Sequence, residues 1–119
     1  MTTPHYYNWD DLPETPMASR IGRRLVSGDK MTVVMLNLTR GATVGQHQHP
    51  HEQMIYVLSG KIEFESSDGR RDLTGGDVVH LPAHVPHGGT AVEDTVTLEI
   101  FSPPREEFLT NAPLDYMQP

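Results

Sequence analysis

The stretch HQHPHEQ, His47 to Gln53, packs three imidazoles, a carboxylate and an amide into seven residues. Histidine ligates zinc, iron, nickel and copper alike, so this run points to metal chemistry without selecting the element. On a strand, side chains at i and i+2 share a face, so His47 and His49 can turn their rings toward one ion. Pro50 then interrupts regular pairing, and strict alternation is not expected past His49. A Gln or Glu shortly afterwards, with one histidine from a distant strand, would complete a four-ligand protein set. Six of the seven histidines fall in two segments, His47, His49 and His51, then His80, His84 and His87. A merely solvated polar strand explains a lone histidine better than it explains two such clusters.

Such side chains need a rigid frame, and the chain reads as all-β. Strands are expected over residues 21–27, 31–38, 53–58, 61–65, 70–73, 77–81 and 95–101, rich in Val, Ile, Leu, Thr and Phe. In KIEFE, Ile62 and Phe64 share a face; on 95–101, Thr97, Glu99 and Phe101 do. Gly and Asp mark the reversals SGDK, RGAT, LSGK, SDGR and TGGD. Short strands at this spacing indicate a sandwich or barrel. Residues 105–111 alone read as a short helix or turn, with two prolines ahead and Glu106 and Glu107 in its first turn. The expected organisation is an N-terminal arm over 1–19, a barrel over 20–102 and a tail over 103–119.

Composition removes several classes of function. The chain has 119 residues, which suits one domain, and no cysteine, so disulfides and thiolate metal sites are absent. Nine basic against sixteen acidic residues give a net charge of -7, which repels nucleic acid and anionic membranes. The opening MTTPHYYNWDDLPE lacks a secretory profile, and MTVVMLNL is far too short for a membrane span. A cytoplasmic, soluble protein is expected.

Two spaced motifs carry a family resemblance. Gly41, His47, His49, Gln53 and Gly60 follow G-x5-H-x-H-x3-Q-x6-G, and Gly76, Pro82 and His87 follow G-x5-P-x4-H. Together these resemble the two motifs of the cupin superfamily. That resemblance implies a jelly-roll (double-stranded β-helix) barrel, commonly a homodimer, holding a divalent metal such as Ni, Fe, Mn, Zn or Co. Carried over by position, it implies His47, His49, Gln53 and His87 as ligands. Gln53 stands where most cupins have Glu. Glu52 is a rival ligand expected to face away, and His51 a rival expected to line the site. Three imidazoles and one amide leave the ion's full charge uncompensated, which strengthens it as a Lewis acid for carboxylates and enolates.

The segment LEIFSPPREEFL, with HPHEQ and YVLSGK, is similar to the pectin-degradation cupins, which turn 4,5-unsaturated monouronates into linear keto forms. That resemblance implies site roles for Glu99, Phe101 and Arg105; Glu99 departs from the Asp usual there. By its own chemistry, a carboxylate buried beside a cation can be tuned for proton transfer. The Arg105 fork suits a uronate carboxylate, although a pairing with Glu106 or Glu107 is an equally ordinary fate. Only one of Arg23 and Arg24 can face inward, and the sequence does not say which. Tyr56 reads as packing, His80 and His84 as surface or supporting groups, and Met31, Met35 and Met54 as core filler. The resulting expectation is a lyase or isomerase in carbohydrate degradation, acting on a small anionic sugar acid. Its alternatives are an iron-dependent small-molecule dioxygenase and a non-catalytic metal- or ligand-binding cupin.

Overall fold

The computed structural model describes residues 2–110, 114, 116 and 117. Among the described residues ten strands form: β1 (Thr15–Ala18), β2 (Ile21–Ser27), β3 (Thr32–Leu38), β4 (Thr43–His47), β5 (Glu52–Ser59), β6 (Lys61–Ser66), β7 (Gly69–Thr74), β8 (Val78–Leu81), β9 (His87–Ala91) and β10 (Thr95–Ser102). They make two antiparallel sheets, one ordered β1-β2-β3-β10-β5-β8 and the other β4-β9-β6-β7. Crossovers between β3 and β10, and between β4 and β9, wrap the two sheets into a jelly roll.

Alternation decides which residues face inward. On β3, Thr32, Val34, Leu36 and Leu38 are buried while the residues between them are half-exposed. β10 does the same with Thr95, Thr97, Glu99 and Phe101, and β5 with Gln53, Ile55 and Val57. These inward rows meet the opposite sheet through Phe64, Leu73 and Ala91. At the β5–β6 reversal Gly60 has φ +93°, and a Cβ there would lie 2.4 Å from the Asp94 carbonyl oxygen. Only glycine fits that turn.

Three strands exceed the sequence expectation: β1, β4 and β9. β1 lies inside the 1–19 arm and pairs with β2, so the arm's last part is an edge of the larger sheet. β4 and β9 carry TVGQH and HGGTA, whose glycines hide their strand character. The helix is α1 (Glu106–Leu109), shorter than the expected 105–111, with Arg105 at its N-cap; Asn111 lies outside the described residues. Met31 and Met54 are exposed rather than core filler, as is Tyr56. Met54 and Tyr56 sit on the outer face of β5, alternating with the buried row, so their apolarity serves the outside of the sheet. Arg23 is the inward arginine; Arg24 bonds the Leu12 carbonyl and Glu14. Among the described residues no helix is long and apolar enough to cross a membrane.

Candidate metal centre

Strands β4 and β9 pair so that His47 lies directly across from His87. Gly88 permits this approach, since a Cβ there would stand 2.8 Å from the Val44 carbonyl oxygen. The two rings are 4.3 Å apart, and His49, in the turn after β4, brings its ring to 5.6 Å and 5.2 Å from them. One nitrogen from each of the three lies within 4.8 Å of the other two. His47 Nδ1 sits 2.9 Å from the Gly45 carbonyl oxygen and His87 Nδ1 2.8 Å from that of Val85. A carbonyl only accepts, so both Nδ1 atoms carry the proton and both Nε2 lone pairs are bare.

Burial keeps these rings neutral. It pushes His47 down to about 4, reinforced by His87 and Arg105 against the opposing Gly45 carbonyl. Burial with the Arg105 charge likewise takes His49 to about 4, and burial lowers His87. Neutral imidazole is the ligating form. The carboxamide of Gln53 joins the cluster, its Oε1 3.0 Å from His49 Nε2. Two donors each about 2.1 Å from one ion and at right angles are also about 3 Å apart. The residues therefore fit a divalent ion held by His47, His49, His87 and Gln53.

Behind the imidazoles runs a buried polar chain. Gln53 Nε2 donates to Glu99 Oε1 at 2.8 Å, and the Thr97 hydroxyl donates to Glu99 Oε2 at 2.8 Å. Gln53 sits opposite Phe101 in the β5–β10 ladder, which puts Glu99 on the neighbouring inward position. Burial raises the Glu99 carboxyl above the usual carboxylate range, while Thr97, Arg105 and Gln53 pull the other way. The Arg105 guanidinium stacks over Phe101 at 5.0 Å and Phe108 at 4.7 Å. Its Nε donates to Glu107 at 3.1 Å and its Nη2 to the Tyr116 hydroxyl. Gln53, Glu99, Arg105 and Tyr116 line one cavity of about 70 Å³ together with His47 and His87.

The structure thus gathers every site residue expected from sequence: His47, Gln53, His87, Glu99, Phe101 and Arg105 line the cavity, and His49 joins their hydrogen-bonded network. Glu52 faces away and binds His80 at the surface, and His84 is exposed. His51 is buried edge-on to His49 and Phe101. Arg105 does pair with Glu107, yet it remains in the cavity wall. Tyr116 was absent from the expected set. Nothing in its local sequence, a tyrosine in a polar tail, signals that it reaches the site.

The Cupin domain family profile matches residues 34–102. KdgF from Halomonas sp. has the same fold, with a TM-score of 0.83 and 30% identity over 87% of this chain and 99% of that one. An RmlC-like cupin from Shewanella frigidimarina NCIMB 400 gives a TM-score of 0.84 at 25% identity, covering 89% and 96% of the two chains. The uncharacterized protein SCO3923 of Streptomyces coelicolor is 32% identical over 75 residues, 62% of this chain and 71% of that one.

The imidazoles give a pH prediction. Their folded pKa values lie below the ordinary 6.5, so between pH 6.5 and about 4 the unfolded chain binds more protons than the folded one. Metal-free protein should lose melting temperature as pH falls through that window and hold it constant from pH 7 to 8. Calorimetry showing a flat profile between pH 6.5 and 4 would refute the buried, neutral cluster.

Proposed function

The chain belongs to the cupin domain family, and on that footing we propose that it is a metal-dependent enzyme linearising an unsaturated monouronate to its keto form. One observation supports this reading above others: a carboxyl, Glu99, is hydrogen-bonded through Gln53 to the imidazole cluster and shares its cavity with the Arg105 guanidinium. The similarity to KdgF from Halomonas sp., at 30% identity over nearly the whole of that chain, adds to it.

The chemistry asked of the site is an isomerisation. A 4,5-unsaturated monouronate is a cyclic hemiacetal whose ring oxygen is part of an enol ether. Removing the C1 hydroxyl proton opens the C1–O5 bond to an aldehyde and an enolate, and protonation at C4 gives the ketone. A divalent ion held by His47, His49, His87 and Gln53 supplies Lewis acidity for the developing negative charge. Glu99, its carboxyl raised by burial, takes the C1 hydroxyl proton and returns a proton to C4. Thr97 and Gln53 hold its two oxygens so that the carboxyl cannot rotate away. Arg105 pairs with the substrate carboxylate, its plane fixed between Phe101 and Phe108. Phe101 closes the wall and keeps water from the enolate.

A homodimer accompanies this proposal. The outer face of the larger sheet exposes Met54, Tyr56, Leu58, Val78 and Ile100. Val78 stands opposite Tyr56 and Ile100 opposite Met54, so they form one apolar patch. Light scattering should give twice 13.3 kDa, and Tyr56→Glu should shift the mass toward one chain; a wild-type monomer refutes the dimer.

Turnover is read as loss of the ultraviolet absorbance of the unsaturated uronate. Glu99→Gln should lower kcat by about 10²–10⁴-fold while preserving metal content. Arg105→Lys should chiefly raise KM, by roughly tenfold, because an ammonium cannot fork across two oxygens. Metal-loaded wild type that leaves the absorbance unchanged, or Glu99→Gln with an undiminished rate, rejects the reading.

A further inference from the structure

The carboxy-terminal strap touches the barrel mouth at four points. Gly45 N–H donates to the Tyr116 carbonyl oxygen at 2.5 Å, and Val44 forms an isolated antiparallel bridge with Met117. The Tyr116 ring lies flat on His47, centroids 3.8 Å apart and planes 1° from parallel. Its hydroxyl accepts a hydrogen bond from Arg105 Nη2. One residue outside the paired strands therefore contacts both functional halves of the site, the imidazole cluster and the guanidinium.

Two consequences follow from size and charge. The cavity beneath the strap measures about 70 Å³, whereas pockets for metabolite-sized ligands run to roughly 300–1,000 Å³. A six-carbon sugar acid needs more room than the strap leaves. Arg105 also gives one of its fork nitrogens to a neutral phenol, and a carboxylate is the stronger acceptor for a guanidinium. The Tyr116 side chain is held by one stack and one hydrogen bond, while its backbone carbonyl accepts from Gly45 N–H and Met117 bridges Val44. The phenol is thus the displaceable element on both groups.

We propose that Tyr116 is the gating and size-selecting residue of the site: its ring shields the His47 side of the metal centre, and its hydroxyl holds the Arg105 fork until an incoming carboxylate takes its place. The carboxylate half of this inference rests on the function proposed above; the shielding half does not. Displacement makes and breaks hydrogen bonds only, with no covalent step.

Two variants separate the contacts, because Tyr116→Phe keeps the stack and loses the hydroxyl, while Tyr116→Ala loses both. Zinc-loaded full-length proteins are mixed with a chromogenic zinc chelator and the transfer is followed by absorbance, after circular dichroism has confirmed folding. Transfer should quicken about tenfold in Tyr116→Ala and stay within about threefold of wild type in Tyr116→Phe, as expected where an aromatic stack is the barrier. Calorimetry with the saturated uronate D-galacturonate needs no turnover. Its Kd should fall about threefold or more in Tyr116→Phe, since the competing state has been removed. Zinc transfer unchanged in Tyr116→Ala, or galacturonate bound no tighter by Tyr116→Phe than by wild type, overturns the gate. Tighter binding by that variant without turnover of an unsaturated uronate upholds the gate and overturns only the function.

Discussion

Three imidazoles crowd into one small space inside a barrel at least cost when they are neutral. With ligating atoms within 4.8 Å of one another, two protonated rings would repel by roughly 3 kcal/mol at an effective dielectric near 20. Burial enforces the same neutrality, and the carbonyls of Gly45 and Val85 fix the proton of two rings on Nδ1. What remains is a set of lone pairs on a strand frame that cannot relax, because His47 and His87 are locked as a cross-strand pair. The fit of the cluster to an ion and the posture of Gln53 both descend from that constraint.

Gln53 is the hinge between the two halves of the site. Its amide oxygen faces His49 and its amide nitrogen holds Glu99. A glutamate at position 53 has no N–H to offer, so it would set a second carboxylate against Glu99 in a buried space, an arrangement that forces one of the pair to protonate. The amide therefore does two things: it leaves an ion's charge uncompensated, and it stabilises an inward carboxylate close by. The carboxyl absent from position 53 is present at position 99, one hydrogen bond further from the imidazoles.

Much of this was readable in the linear chain. KIEFE and TVTLEIF alternate, so the shared face of Thr97, Glu99 and Phe101 was readable, and the structure turns that face inward. The histidine spacings pointed to the cluster, although His49 lies just past the end of β4, and the β4–β9 pairing sets His87 across from His47. β4 and β9 escaped notice since TVGQH and HGGTA gain strand form from their neighbours, with glycines allowing close approach where β-propensity is poor. Met54 and Tyr56 misled because apolar residues on an outer sheet face look like core in one dimension. Tyr116 had no legible signal: its role depends on a tail folding back onto Val44 and Gly45, a contact spanning most of the barrel's sequence.

The central claim is that His47, His49 and His87 converge on one ion. X-ray absorption at the metal edge of nickel-loaded protein reads it directly, because imidazole rings give multiple-scattering features that carboxylates and water lack. The account predicts a signature of three imidazoles in wild type and two in His49→Ala. A wild-type spectrum with a single imidazole or none, or one unchanged in His49→Ala, would contradict it.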